Sequence, residues 1–306
     1  MHILAIASAV ATGHVGNAAA VFALQRLGAE VTRLDTVRFS NHPGHGAFAG
    51  RLADPEELRA LIDGLAAHGT LARCDAVLSG YLGAPGTGPV VLDAVARVRA
   101  ARPAALYACD PVIGDDGPGE YVRPGIADFL RDRAVPAADL LTPNRFEAER
   151  LTGLPVATLA EARAAAAALE AAMRPAGPRV VLLTSLRTET TPADAIDMLA
   201  AEGGRFWRLR TPKLPIAVNG AGDMLAALFL FHRLATGDAG AALAAAAAAL
   251  HGVLRRTARD GPGRDGPGRD GTGRGGTGGD GTGELALIAA QDELVAPSRR
   301  FAAEPC

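Results

Sequence analysis

Ile3-Leu4-Ala5-Ile6-Ala7-Ser8, the turn Ala11-Thr12-Gly13-His14-Val15-Gly16, a helical stretch from Asn17 to Leu27, a stop at Gly28 and a second run from Glu30 to Leu34 form a strand, helix, strand unit. The first run is apolar throughout and does not alternate with polar residues, which is the pattern of a strand covered on both faces. Such strands, joined across a helix, build a parallel sheet.

The same rhythm continues along the chain. Asp54-Pro55-Glu56-Glu57 supplies an N-cap, a proline at the first helical position and an acid at the third, and so predicts a helix to about Ala67. Asp75 to Gly80 reads as a strand, Pro89 to Ala101 as a helix, and Ala104 to Asp110 as a strand. Pro124 to Arg133 is read as helical, Ala138 to Leu141 as a short strand and Arg145 to Leu151 as a short helix. Thr158-Leu159-Ala160-Glu161 is a capping box opening a helix to Met173, before a strand from Arg179 to Thr184. Ala195 to Ala200 and Arg205 to Leu209, separated by Glu202-Gly203-Gly204, read as a β-hairpin that adds antiparallel strands at one edge. Two helices follow, Gly222 to Leu234 and Ala239 to Thr257. The fold class is α/β, with a largely parallel central sheet and helices on both faces. Ligands of such sheets bind beyond the carboxyl ends of the strands, which makes Ser8, Asp35, Tyr81, Asp110, Thr142, Asn144, Thr184 and Ser185 candidates.

Composition narrows the function. With 306 residues, 49% of them hydrophobic, the chain can bury one large core or two modest ones. A net charge of -2 argues against a nucleic-acid or acidic-membrane partner. Lys213 is the only lysine among 31 basic residues, so no Walker-type phosphate loop exists. The three cysteines, Cys74, Cys109 and Cys306, have no metal or redox spacing and fit a reducing compartment. The N-terminal run is too short to span a membrane and lacks a basic leader, so a soluble cytoplasmic protein is expected.

Asn219-Gly220-Ala221-Gly222-Asp223 precedes the apolar stretch from Met224 to Leu234. Its glycines let successive N–H groups converge at the positive end of a helix, where anions bind. Asp223 would stand beside the bound anion as a base, which is the layout phosphoryl transfer needs. A Gly-Asp turn capping a core helix is the other reading. Thr142-Pro143-Asn144-Arg145-Phe146-Glu147 sets an amide and a carboxylate one turn apart, a spacing that can hold hydrated Mg²⁺. Taken alone, Asn144 reads first as a helix cap and Glu147 as a solvated face. In Cys109-Asp110-Pro111-Val112, Asp110 ends a buried strand and therefore needs a cation or strong donors.

Together these motifs resemble those of the ribokinase-like superfamily of small-molecule kinases, and in detail its pyridoxal kinase branch. Ser8-Ala9-Val10-Ala11-Thr12-Gly13-His14-Val15-Gly16-Asn17 is similar to that family's Ser-x-Val-x-x-Gly-x-x-Gly-Asn pattern, and Val37-Arg38-Phe39-Ser40-Asn41-His42 to its Val-Gln-Phe-Ser-Asn-His segment. The resemblance implies a three-layer αβα sandwich, a single domain across residues 1–306, and ATP-dependent phosphorylation of the 5′-hydroxymethyl group of pyridoxal. It implies Asp223 as the base, Gly220, Ala221 and Gly222 as an anion hole, and Ser8, Val37, Phe39, Pro43 and Tyr81 around the substrate. Asp110, Asp115, Thr142, Asn144, Glu147, Thr184 and Ser185 would face ATP, with Asp110 and Glu147 toward Mg²⁺ and a monovalent cation such as K⁺ nearby. Asp115 to Tyr121 matches the family's flap, and a homodimer is implied.

Two features depart from the pattern. Pro43 stands where the family has Thr and has no N–H to donate. Arg259 to Gly283, a near-repeat of Arg-Asp-Gly-Pro-Gly without apolar residues, is an insertion expected to be mobile. A hydroxymethylpyrimidine or sugar kinase of the same superfamily, and a non-catalytic pyridoxal phosphate binding protein, are the alternative functions.

Overall fold

The computed structural model describes residues 1–260 and 283–306, so the expectation of a mobile insertion lies largely outside the described residues. In chain order the strands are β1 (His2–Val10), β2 (Glu30–Phe39), β3 (Gly50–Leu52), β4 (Ala76–Ser79), β5 (Leu106–Cys109), β6 (Gly114–Asp115), β7 (Gly119–Glu120), β8 (Leu140–Leu141), β9 (Val180–Leu186), β10 (Ala195–Glu202), β11 (Arg205–Pro212) and β12 (Glu304–Pro305). The helices are α1 (Asn17–Arg26), α2 (Pro55–Ala67), α3 (Thr87–Ala101), α4 (Ile126–Phe129), α5 (Val135–Ala137), α6 (Arg145–Thr152), α7 (Leu159–Ala172), α8 (Ala221–Thr236), α9 (Ala239–Asp260) and α10 (Asp292–Val295).

Ten strands form one sheet in the order β12-β11-β10-β9-β8-β5-β4-β1-β2-β3, and β6 pairs with β7 in a separate ribbon. The strands from β9 across to β2 run parallel. Antiparallel strands close both edges, with β10, β11 and β12 on one side and β3 on the other. The expected sheet is therefore present, with edge strands at both ends and not only at the hairpin.

Neighbouring side chains of each central strand point to opposite faces. Leu4, Val77, Tyr107, Leu141 and Val181 join a core with α2, α3, α6 and α7, while Ile3, Leu78, Ala108, Leu140 and Val180 join a second core with α1, α8 and α9. Both layers are apolar, which is why the strands read as unbroken apolar runs. Helix α8 is buried continuously from Met224 to Leu230, because it is flanked by α1 and α9 in the core of that layer and so has no solvent face in that stretch. Cys74 and Cys109 are buried core residues.

Local signals hold well. Thr158 and Glu161 form the reciprocal capping box of α7, and Asp54 caps α2 by accepting the Glu56 N–H. Gly203 and Gly204 turn the hairpin with φ of 60° and 76°. Two elements differ from expectation. β2 continues past Leu34 because Asp35 and Thr36 are satisfied by tertiary partners, the Asn17 amide at 2.9 Å and the Tyr81 carbonyl at 2.6 Å. The expected helix from Pro124 becomes α4, a π turn over Leu130–Ala134 and α5. Pro136 explains that break, since it has no N–H to return to the preceding turn. Among the described residues no helix is long and apolar enough to cross a membrane.

Candidate active site

Because the central strands are parallel, their carboxyl ends lie along one edge of the sheet, in the order β9, β8, β5, β4, β1, β2. Thr184 and Ser185 on β9 and Thr142 after β8 fall on one side, and Val37 and Phe39 on β2 on the other. Asp110, following β5, falls between them. Helix α8 brings Asp223 to the same place, and Asp110, Asp223, Ser79, Gly80 and Asn17 line one small cavity.

Asp223 is held by the N-terminal turn. Its Oδ2 accepts the Gly16 N–H at 2.8 Å. Gly16 has φ 55°, and a Cβ there would run into the carbonyl and hydroxyl oxygens of Ser8, so only glycine can bring its N–H to the carboxylate. Ser8 itself sits where the pairing of β1 with β2 slips, between Ala7 opposite Asp35 and Ala9 opposite Arg38, which is a β-bulge that re-aims the chain. Burial raises the Asp223 pKa, against the opposing pull of the Gly16 N–H and its own backbone N–H.

Gly220 is the N-cap of α8 in the left-handed region, φ 84°, and a Cβ there would run into the carbonyl of His14. The first helical hydrogen bond of α8 runs from Met224 N–H to Gly220 O at 3.0 Å, so the N–H groups of Ala221 and Gly222 precede it and are open to an anion.

Asp110 is pushed up to about 7, first by burial and then by the Asp223 charge, while the Thr142 hydroxyl, donating at 2.8 Å to Oδ1, acts in the opposite direction. Two carboxylates sharing an enclosed space are what a bound cation relieves. Glu147 is also buried, at 4% exposure, which corrects the solvated-face reading. Its oxygens accept the N–H groups of Ile113 and Asn144, each at 2.9 Å. Its pKa is nevertheless raised well above the ordinary carboxyl value by burial and by Asp110. Asn144 caps α6 by accepting the Glu147 N–H at 2.9 Å, and its amide donates to Gly114 O at 2.8 Å, so the helix-cap reading describes it. Among the described residues no three His, Cys, Asp or Glu side chains form a metal cage. Mg²⁺ with a nucleotide does not require one, since one or two carboxylates plus phosphates suffice.

Other predicted residues take distinct places. Thr184 pairs with Asn144 in an isolated bridge, and Ser185 holds a left-handed φ of 54°, rare for a residue with a side chain. Val37 is buried; Phe39 packs on the exposed Phe48 with ring centroids 4.8 Å apart. Tyr81 is half-buried at the end of β4, and burial raises its hydroxyl pKa. Pro43 is exposed on a short 3-10 turn, Pro43–His45, whose flanking His42 lies 3.1 Å from the Asn219 amide. Asp35 accepts the Asn17 amide at 2.9 Å and pairs with Arg33 at 3.2 Å, so its carboxylate already has partners within the protein. Asp115 lies on the β6–β7 ribbon, which gives the expected flap a structure. Arg145 grips the next residue, Asp116, through two bonds of 2.9 and 2.7 Å.

Two residues were not singled out from sequence. Tyr121 ends the flap, and its hydroxyl pKa is raised by burial and then by Glu147, Asp115, Asp110 and Asp223, although 53% of the residue is exposed. The hydroxyl lies in the field of the carboxylates. Glu284 reaches the N-terminal turn from 270 residues away, and no local pattern marks it.

The layering and the late glycine corner place the chain in the ribokinase-like class of folds. A family model described as phosphomethylpyrimidine kinase matches residues 57–267. Pyridoxal kinase PdxY of Granulibacter bethesdensis is 52% identical over 306 residues, 100% of both chains. That of Deinococcus radiodurans is 48% identical over 305 residues, covering 99% of this chain and 96% of its own. The structure of pyridoxal kinase from Leishmania donovani in complex with ADP and ginkgotoxin matches with a TM-score of 0.86 at 28% identity, over 100% of this chain and 99% of its own. The chain belongs to the phosphomethylpyrimidine kinase family and, within it, to the pyridoxal kinases.

Proposed function

We propose that this chain transfers the γ-phosphoryl group of ATP to the 5′-hydroxymethyl group of pyridoxal, and also to pyridoxine and pyridoxamine, as a cytoplasmic homodimer in vitamin B6 salvage. The observation that carries the reading is the Asp223 carboxylate, fixed by the Gly16 N–H beside the open N–H groups at the start of α8 and facing the cavity it shares with Asp110.

Asp223 takes the proton of the acceptor alcohol as its oxygen bonds to the γ-phosphorus and the bond to the β,γ-bridging oxygen breaks. Gly220, Ala221 and Gly222 direct backbone donors at the charge on the moving group. Ser8, Val37, Phe39, Pro43 and Tyr81 surround the ring on the β1, β2 and β4 side. Thr142, Asn144, Thr184 and Ser185 face the nucleotide on the β8 and β9 side, with Asp115 above on the flap. Asp110 and Glu147 would hold Mg²⁺, Glu147 through water because both its oxygens already accept N–H groups. Mg²⁺, when bound with the nucleotide, neutralises phosphate charge. The ribbon ending at Tyr121 excludes water that would compete with the alcohol.

An ATP-coupled assay of the purified chain with pyridoxal, pyridoxine, pyridoxamine, hydroxymethylpyrimidine and ribose tests the reading, with Mg²⁺ and K⁺ omitted in turn. Turnover is expected with the pyridine alcohols and is expected to need Mg²⁺ and rise with K⁺. Preference for hydroxymethylpyrimidine would make the chain a hydroxymethylpyrimidine kinase of the same superfamily. Tight pyridoxal phosphate binding without ATP turnover would make it a carrier. Light scattering tests the dimer.

A further inference from the structure

Where the chain returns after the Gly-rich insertion, Gly283 pairs with the strand-like segment entering the glycine corner. Its N–H donates to Ala217 O at 2.8 Å and its carbonyl accepts the Asn219 N–H at 3.3 Å. The next residue, Glu284, then carries its carboxylate between the turn after β1 and the turn of Pro43–His45. Oε2 accepts the His14 N–H at 2.8 Å, and Oε1 lies 3.4 Å from His45 Nδ1. The contact with the turn is close enough that a Cβ at Gly13 would stand within 2.7 Å of all three carboxyl atoms.

The turn that Glu284 holds is the one that holds Asp223. His14, on the Glu284 side, packs its carbonyl against Gly220 at the start of α8, and two residues on, Gly16 donates its N–H to Asp223. The turn is therefore gripped from both sides, by Glu284 outside and by α8 inside. We infer that Glu284 is a positioning residue, whose carboxylate fixes the 13–16 turn so that the Gly16 N–H stays on Asp223, and which ties that turn to the one carrying Pro43 and His45. This inference rests on the kinase reading above and deepens it. Glu284 acts through the backbone it holds, by way of His14 and Gly16.

The role has a signature beyond lost stability. A donor to a carboxylate favours its charged form, so a loosened turn raises the pKa of Asp223 and moves the acid limb of the pH profile upward. The titratable groups near Asp223 are Asp110 across the cavity and Tyr121 from the flap, and those near Glu284 are His14 and His45; the Glu284 variants leave all four in place.

The test compares Glu284→Ala with Glu284→Gln in the full chain, measuring kcat, KM for ATP and the pH profile of kcat for pyridoxal. Gln keeps an acceptor for the His14 N–H and is expected to hold kcat within about threefold. Ala is expected to lower kcat by about 10- to 100-fold with KM for ATP little changed, and to shift the acid limb upward by about one unit. An unmoved acid limb in an active, folded Ala variant overturns the inference, and so does a Gln variant as impaired as Ala. Absence of pyridoxal phosphorylation by the wild-type chain would instead sink the kinase reading, so the two failures are told apart by the unmodified protein.

Discussion

The Gly16 N–H and the Asp223 carboxylate meet at 2.8 Å, joining the turn after the first strand to the first turn of a helix 207 residues later. That bond occupies Oδ2 and holds the carboxylate on the cavity wall, where the proposed function makes it the base. Replacing Asp223 with Asn keeps an oxygen that can accept the Gly16 N–H but removes the base. Asp223→Asn is expected to cut kcat for pyridoxal by about two to four orders of magnitude. Nucleotide affinity, read by calorimetry with ADP, should change little. A variant that keeps most of its turnover would move the base elsewhere.

The two glycines of the corner should fail differently. Gly220→Ala places a methyl group on the His14 carbonyl at a left-handed φ of 84°, so both stability and turnover should fall. At Gly222 a Cβ meets nothing within 4 Å, so Gly222→Ala should fold as the wild type does. If the phosphoryl group passes over Gly222, that variant still loses about tenfold or more in kcat, because the methyl group displaces it. Thermal melting and steady-state kinetics on the pair separate the two effects.

What the sequence makes legible here is what its residues decide locally. The Thr158–Glu161 capping box, the Gly203-Gly204 hairpin and the apolar strands depend on neighbours a few residues away, and each is readable. The late glycine corner is readable too, because backbone donors at a helix start follow from glycine spacing alone. Asn144 is legible as a cap, but the burial of Glu147 is not, since it is created by Ile113 and the flap folding over α6. β3 and β12 are short edge strands that exist only because a longer strand offers them a partner. Glu284 is the extreme case: its meaning lies in His14 and His45, and nothing beside it in sequence announces them.

Asp110 gives a stability prediction of unusual sign. Its pKa rises from 3.8 to about 7 on folding, chiefly through burial. Between those values the folded protein holds a proton that the unfolded chain has released, so the contribution of this residue to stability falls as pH rises through that window. Asp110→Asn removes the buried charge and keeps an oxygen for the Thr142 hydroxyl. The ligand-free variant is expected to melt about 2–4 °C above wild type at pH 8 and to show a smaller gain at pH 5, while its turnover falls. Calorimetric melts at the two pH values decide it; a variant less stable at pH 8 would show that Asp110 is charged and well partnered in the folded state.

His251, on α9, titrates in the opposite sense. It is 4% exposed, neither ring nitrogen has a hydrogen-bond partner among the described residues, and its ring packs edge-on against Phe301 at 5.0 Å. Its pKa is lowered from 6.5 by burial first and then by Arg299 and Arg255, with Glu293 opposing. Below pH 6.5 the unfolded chain therefore takes up a proton that the folded one refuses, and stability is lost as the pH falls. His251→Leu removes both unsatisfied nitrogens at similar volume and should cost less than about 1.5 kcal/mol at pH 7.5. His2 and His232 also have lowered values, so the wild type and the variant should both weaken on acidification, the variant less. Urea midpoints at pH 7.5 and 5.5 measure the two slopes, and equal slopes would show that this ring is not among the groups that acid charges.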